Sequence, residues 1–94
     1  MNKTLRIGIV GCGYIAMNRH IPTLAKTKGV EIAALCDSSQ ERASAFAKQF
    51  GIKKTYTSFS DMLADNIDAV DICTPPSTHA SLSIQAVKTG VHVM

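Results

Sequence analysis

Proline, cysteine and clustered charge are all scarce in this sequence of 94 residues. The 3 prolines, together with 46% apolar and 18% charged residues, exclude a collagen-like chain and argue against intrinsic disorder. No basic block is longer than Lys53-Lys54, and the formal net charge is only +3. Nucleic acid is therefore not an expected partner.

Cysteine occurs three times, at Cys12, Cys36 and Cys73, an odd number without metal-ligand spacing. All three residues lie in or beside apolar runs. We therefore predict reduced, half-buried thiols in a cytoplasmic protein, with neither a disulfide framework nor a metal site.

The apolar stretch from Ile7 to Met17 follows two basic residues, Lys3 and Arg6, and so superficially resembles a secretory signal. It contains three glycines, is shorter than the ~20 residues of a spanning helix, and precedes no small-residue cleavage site. We expect neither a leader nor a membrane partner.

Short, nearly continuous apolar runs are typical of strands that are covered on both faces, as in a parallel sheet between helices. Four such runs occur, and a weaker segment reads as an edge strand. The predicted strands are Leu5 to Val10, Val30 to Cys36, Lys54 to Thr57 at the edge, Ala69 to Cys73, and Val91 to Met94.

Helical patterns fill the segments between these runs. From Glu41 onward an apolar stripe at helical spacing predicts a helix, with Ser38 and Glu41 forming a capping box. Ser58 and Asp61 predict the start of a short helix, and a longer helix follows Ser77. This alternation predicts an α/β fold with a doubly wound parallel sheet.

The first predicted helix contains His20 and Pro22. An interior proline removes a helical hydrogen bond, so we expect a kink near Arg19. No chemical partner for either residue can be named from the sequence.

A glycine-rich turn follows the first strand directly. The segment from Gly11 to Ala16 reads G-x-G-x-x-A and opens a helix. Gly11 permits the tight turn, Gly13 allows a pyrophosphate to approach the backbone, and Ala16 allows close packing of the helix. The string alone is a weak indication of dinucleotide binding.

Asp37 strengthens that indication because it ends the second strand, ~20 residues after the turn. A carboxylate there can accept hydrogen bonds from both hydroxyls of an adenosine ribose, whereas a 2′-phosphate would meet a like charge. NAD is therefore favoured over NADP, although nearby Ser38, Ser39 and Arg42 soften the preference. The alternative role for Asp37 is a helix N-cap.

The loop from Thr74 to His79 follows the fourth strand and contains paired prolines. In a doubly wound sheet this loop faces the crevice where the strand order reverses. A neutral imidazole of His79 could bond a ribose or substrate hydroxyl there. An exposed histidine at a helix start is an equally good interpretation.

These residues resemble the Gfo/Idh/MocA oxidoreductases over essentially the whole chain. The matching segments are Gly11 to Ala16, His20-Ile21-Pro22, Cys36-Asp37, Ala69 to His79, and Ala86 to Met94. The resemblance implies an NAD(P)-binding Rossmann-type domain acting with a sugar, polyol or similar hydroxyl substrate, commonly in a homo-oligomer. It implies a pyrophosphate site at Gly11, Gly13, Tyr14 and Ile15, a ribose site at Asp37, and a nicotinamide site at Thr74, Pro75 and His79.

Members of this family typically continue from the last strand into a Glu-Lys-Pro motif, whose lysine assists proton transfer, and then into a substrate domain. The chain ends at Met94, before that motif. We therefore expect residues 1–94 to be a partial domain, incomplete at its C-terminus, without a catalytic residue, inactive alone and prone to self-association.

Two other functions stay open at this point. One is a nucleotide-sensing module without catalysis, which uses the same scaffold. The other is an S-adenosylmethionine-dependent methyltransferase, which ranks lower because Ile15 stands where its turn would have a third glycine.

Overall fold

The computed structural model describes residues 4–13 and 16–94, and within these it forms one parallel five-stranded sheet in the order β3-β2-β1-β4-β5. The chain moves outward from β1 to β3, then crosses to β4 on the other side of β1, which is the predicted doubly wound arrangement. The strands are β1 (Leu5–Val10), β2 (Val30–Cys36), β3 (Lys54–Tyr56), β4 (Ala69–Ile72) and β5 (His92–Val93).

Helices cover both faces of this sheet. A π-helical turn, Ala16–His20, leads into α1 (Ile21–Ala25). The remaining helices are α2 (Gln40–Phe50), α3 (Phe59–Leu63) and α4 (Pro76–Lys88).

Two apolar cores result, one on each face of the sheet. The first contains Met62 of α3 and Val70 of β4. The second contains Ile9 of β1 and Ile21 of α1. Alternate residues of a strand point to opposite faces, so the apolar runs of β1 and β4 supply both cores at once.

The predicted bounds of the first two strands are confirmed, and the last three observed strands are shorter than predicted. β4 ends at Ile72 and β5 spans His92–Val93. β5 pairs with Ala69 and Val70 of β4. The apolar runs extend beyond the hydrogen-bonded strands because apolar residues indicate burial, whereas a strand ends where its backbone pairing with the neighbouring strand ends.

The predicted capping box of α2 is wrong by one residue. Ser39 is the N-cap, and its hydroxyl accepts the backbone N–H of Arg42 at 3.2 Å. The cause lies upstream, because Asp37 Oδ1 accepts the N–H of Ser39 at 2.8 Å and so turns the chain before the helix begins. In α3 the predicted cap is confirmed, since Ser58 accepts the N–H of Asp61 at 3.4 Å.

The predicted kink near Arg19 is replaced by a change of helix type. The π-helical turn ends at His20, and Pro22 then lies in the first turn of α1. Proline is tolerated there because its missing N–H would have no helical partner.

α4 begins at Pro76, ahead of the predicted start after Ser77, and its predicted apolar face is only partly covered. Ala86 is buried, whereas Ile84 and Val87 are 57% and 65% exposed. Among the described helices, none is long and apolar enough to cross a membrane.

Candidate functional site

A crevice of about 820 Å³ opens at the carboxyl ends of the strands, between β1 and β4. This is the position where the strand order reverses and where open α/β sheets bind ligands. The glycine turn, the end of β2 and the loop after β4 all line it. Its lining includes Gly11, Gly13, Asp37, Arg42, Thr74, Pro75 and Pro76.

Two features of the structure require glycine at position 11. Its φ is +91°, a conformation that residues with a Cβ rarely adopt. A Cβ at this position would also lie 2.9 Å from the backbone of Cys73 and of Thr74. The turn after β1 is therefore packed directly against the chain leaving β4.

Gly13 differs from Gly11 because, among the described residues other than its chain neighbours, no atom lies within 4 Å of where its Cβ would be. Packing within the chain does not require the missing side chain, yet the residue lines the crevice. A bare backbone facing open space suits the approach of a pyrophosphate. Tyr14 and Ile15, which are predicted to share this role, lie outside the described residues.

Asp37 is 6% exposed and uses both carboxylate oxygens inside the chain. Oδ2 accepts the backbone N–H of Cys12 at 2.8 Å, and Oδ1 accepts that of Ser39. Its alternative role as the N-cap of α2 is wrong, because Ser39 holds that position. A carboxylate has about four lone-pair sites, so two remain for hydroxyls in the crevice.

Arg42 brings a positive charge beside this carboxylate. Its guanidinium Nη1 lies 3.7 Å from Asp37 Oδ2, and its side chain is 55% exposed. The contact is loose, so the guanidinium can turn toward a second anion in the crevice. Arg42 was predicted to soften a preference for NAD, and its position in the crevice lining is compatible with that role.

The loop after β4 is organised by Thr78, whose hydroxyl lies 2.8 Å from Thr74 Oγ1 and 2.9 Å from the Pro75 carbonyl. Thr74 and Pro75 line the crevice. His79 is in the first turn of α4 but is exposed, and its Nδ1 lies 3.5 Å from Ser83 Oγ. The structure does not place His79 among the lining residues, so its nicotinamide role stays a prediction.

The thiols at the site are held protonated. Burial, followed by the nearby Asp37 carboxylate, raises the pKa of Cys12 to about 12 and that of Cys36 to about 11. Burial and Asp71 raise the pKa of Cys73 to about 12. All three cysteines are free. A protonated thiol is a poor nucleophile.

His20 has a partner that the sequence did not identify. Its Nδ1 lies 2.5 Å from Oδ2 of Asp71, the third residue of β4. Asp71 is only 8% exposed. One signal pointed to such a pair, because a carboxylate within an apolar strand needs a partner when it is buried.

Comparison with known proteins identifies the family. Residues 5–94 match the model of the Gfo/Idh/MocA family, described as an oxidoreductase family with an NAD-binding Rossmann fold. The chain belongs to the Gfo/Idh/MocA oxidoreductases. The predicted fold class and NAD(P) binding are thereby confirmed.

Two curated members of the Gfo/Idh/MocA family illustrate the similarity. The chain is 38% identical over 90 residues to D-apiose dehydrogenase of Paraburkholderia graminis, covering 95% of this chain and 24% of that enzyme. It is 32% identical over 94 residues to D-glucoside 3-dehydrogenase of Escherichia coli, covering 99% and 27% respectively. The chain thus spans about a quarter of the length of these relatives.

Solved Gfo/Idh/MocA structures agree in fold. A 3-ketoreductase from Actinomadura kijaniata, in complex with TDP-benzene and NADP, superposes with a TM-score of 0.90 at 30% identity, covering 98% of this chain and 29% of that one. Scyllo-inositol dehydrogenase from Lactobacillus casei, with bound NAD(H) and scyllo-inositol, superposes with a TM-score of 0.88 at 30% identity, covering 97% and 27%. Both dinucleotides therefore occur among the structural neighbours.

Proposed function

We propose that residues 1–94 are the cofactor-binding part of an NAD(P)-dependent oxidoreductase whose substrate is a sugar, polyol or similar hydroxyl compound. The observation that carries this proposal is the crevice, where the glycine turn, Asp37 and the Thr74 loop converge at the point of strand reversal. The substrate class is supported by the names of relatives that act on apiose, glucosides and inositols.

Each segment of the crevice suits one part of an extended dinucleotide. Gly11 and Gly13, with Tyr14 and Ile15, would receive the pyrophosphate, since backbone at a glycine turn can approach an anion closely. Asp37 would accept the hydroxyls of the adenosine ribose. Thr74, Pro75 and His79 would lie toward the nicotinamide.

The nicotinamide, when bound, supplies the hydride acceptor or donor. The residues of this chain bind and orient it: Gly11 packs the turn against the chain at Cys73, and Asp37 fixes the same turn through Cys12. We assign no catalytic acid or base within residues 1–94.

NAD is the proposed dinucleotide, with NADP as a second ligand. Asp37 is a buried carboxylate at the ribose position and would repel a 2′-phosphate. Arg42, at 3.7 Å, partly offsets that charge. The site should therefore bind NAD more tightly than NADP without excluding NADP.

Titration of the chain with NADH, followed by cofactor fluorescence, tests the binding step. We expect saturable binding that ADP-ribose displaces and that S-adenosylmethionine leaves unchanged. Displacement by S-adenosylmethionine alone would favour a methyltransferase. Absence of saturable NADH binding by a folded chain would refute the cofactor assignment.

The substrate class needs the whole protein. We expect reduction of NAD, followed by absorbance, when the parent protein is offered a panel of polyols, inositols and aldoses. If NADH binds but none of these compounds is oxidised and none of the matching ketones is reduced, the nucleotide-sensing alternative replaces the enzyme.

Homo-oligomerisation and a cytoplasmic location also remain proposals. Exposed apolar residues on α4, Ile84 and Val87, provide a surface for contact between copies. Light scattering at increasing concentration tests this point, and a constant monomeric mass would contradict it.

A further inference from the structure

Asp71 and Cys73 present their side chains on one face of the sheet. They are two residues apart in nearly extended chain, which places both on the same side. Their intervening neighbour Ile72 packs into the opposite core, with Val70. Cys73 packs against the core on the α1 face, and its Sγ lies 3.7 Å from Asp71 Oδ1.

The π-helical turn brings a third polar group to the same place. His20 is the last residue of that turn, and its Nδ1 reaches Asp71 Oδ2 at 2.5 Å. π-Helical turns carry an extra residue that re-aims the following side chain, and they are frequent at functional sites. Here the side chain is the imidazole of His20, which contacts the Asp71 carboxylate and lies near the Cys73 thiol.

An open cavity of about 390 Å³ adjoins this cluster and is separate from the dinucleotide crevice. His20 and Asp71 form part of its wall, with Thr23 and Leu24 of α1. The space allows a small ion to enter and leaves room for a water ligand. Arg19 also lines the cavity but is exposed, so water screens its charge.

The three side chains supply a donor set that zinc prefers. Imidazole nitrogen, carboxylate oxygen and thiolate sulfur are its usual protein ligands, and sites with three protein ligands keep a water in the fourth position. Tetrahedral zinc would place these donors about 3.3 to 3.7 Å apart. In the structure the three ligand atoms all lie within 4.8 Å of one another.

Side-chain rotation would be needed to bring the donors around one ion. Asp71 Oδ1 lies 3.7 Å from Cys73 Sγ, whereas His20 Nδ1 contacts the other carboxylate oxygen, Oδ2, so the carboxylate would turn one oxygen toward the ion or bind it through both. His20 Nδ1 and Asp71 Oδ2 would have to separate by about 1 Å from their hydrogen-bonding distance. Rotation of the 38% exposed His20 side chain can provide this.

We propose that His20, Asp71 and Cys73 form a binding site for a divalent ion of the zinc class, at the carboxyl end of β4. On binding, sulfur coordinates the ion and its proton passes to solvent. The ion would tie the first helical segment to β4, one residue before the Thr74 loop of the crevice. His20 and Asp71 line the separate cavity, whereas Cys73 lines the dinucleotide crevice.

Addition of Co²⁺ and then Zn²⁺ to the full chain tests the proposal. Cobalt should give visible bands of a tetrahedral complex and a near-ultraviolet band of a cobalt–thiolate bond, and Zn²⁺ should displace both. Zn²⁺ at a hundredfold excess over its Kd should raise the melting temperature by about 10 °C. A chelator should reverse this shift.

Cys73→Ser is the decisive variant, because it leaves the His20–Asp71 hydrogen bond in place and so preserves the fold. It should abolish the thiolate band and weaken zinc binding at least about tenfold. His20→Gln should also weaken binding. The matched controls, Cys36→Ala for the thiol and the exposed His92→Gln for the imidazole, should retain both signals.

Two results would overturn the proposal. One is the absence of a thiolate band and of any zinc-dependent stabilisation in the folded chain, which would leave His20 and Asp71 as a simple hydrogen-bonded pair. The other is retention of the band in Cys73→Ser, which would place the metal at another thiol. NADH titration of the same samples shows separately whether the dinucleotide site is intact.

Discussion

The carboxylate of Asp37 accepts the backbone N–H of Cys12 at 2.8 Å, across 25 residues of sequence. This bond joins the end of β2 to the glycine turn after β1. The same carboxylate also accepts the N–H of Ser39 and thereby sets where α2 begins. The residue proposed to bind the ribose is thus also the residue that shapes the turn proposed to bind the pyrophosphate.

Asp37→Asn should therefore weaken NADH binding and destabilise the fold together. An amide has only one oxygen, so it cannot accept both N–H groups and would turn a donor toward one of them. We expect about tenfold weaker binding, and a loss of about 1 to 3 kcal/mol in the free energy of unfolding. Fluorescence titration and urea unfolding measure the two effects.

Glu41→Gln is the matched control, since it removes one carboxylate from an exposed position on α2. It should leave NADH affinity within a factor of two, in keeping with a surface substitution of about 0.5 kcal/mol or less. An equal loss of NADH affinity in both variants would mean that the net charge of the chain, and not the position of Asp37, governs binding.

Arg42→Ala should change the balance between the two dinucleotides. Removing the guanidinium leaves Asp37 as the dominant charge near the ribose, so NADPH should bind about tenfold more weakly while NADH changes little. The difference should shrink as salt is raised, because Arg42 is exposed. Lys48→Ala, at the other end of α2, is the control and should not alter the ratio.

Gly11→Ala and Gly13→Ala form a pair that separates folding from binding. The first substitution places a Cβ on a residue in the left-handed conformation, 2.9 Å from the backbone of Cys73 and Thr74. The free energy of unfolding should therefore fall by at least about 2 kcal/mol. The second adds a Cβ that meets no atom within 4 Å in the described part of the chain apart from its neighbours, so stability should change by less than about 1 kcal/mol while NADH binding weakens. Similar effects on stability would contradict this division.

The stability of the folded chain should decrease at low pH, because the ionised carboxylate of Asp65 contributes to it. The hydroxyl of Tyr56, and then the amine of Lys54 at 2.9 Å, hold the pKa of Asp65 below its usual value of 3.8. A carboxyl with a lowered pKa in the folded state stabilises fully above its unfolded pKa and loses that contribution as pH falls through the folded value.

Urea unfolding between about pH 6 and pH 2 checks this, since the contribution declines as pH falls below 3.8 and on through the lower folded-state pKa. The decline should be smaller in Asp65→Asn and in Lys54→Ala than in the unchanged chain. Lys53→Ala replaces the neighbouring exposed lysine and should keep the full decline. Identical pH profiles for all four proteins would show that the Asp65 cluster does not contribute.

Much of the site could be located from the sequence because its parts are local. The turn at Gly11 and Gly13 directly follows an apolar run, and Asp37 and Thr74 each end another. Parallel strands bring their carboxyl ends to one edge, so the topology alone assembles these residues. The exact start of α2 was missed because Asp37 bonds to Ser39, a choice between adjacent serines that the pattern does not record.

Contacts between residues that are far apart in the sequence were harder to predict. His79 fits the pattern of the loop, yet the structure leaves it exposed beside Ser83. The sequence did not identify the partner of His20, because Asp71 is 51 residues away in the chain. Which side chain meets which depends on how the helices pack on the sheet.

The sequence by itself determined the α/β alternation, the two longest strands and the edge where the crevice forms, since apolar periodicity and glycine positions are local properties. Only the tertiary structure decided that Asp37 braces the glycine turn and that the π-helical turn delivers His20 to Asp71 and Cys73. These contacts depend on distances between distant segments, which are set by packing and not by spacing along the chain.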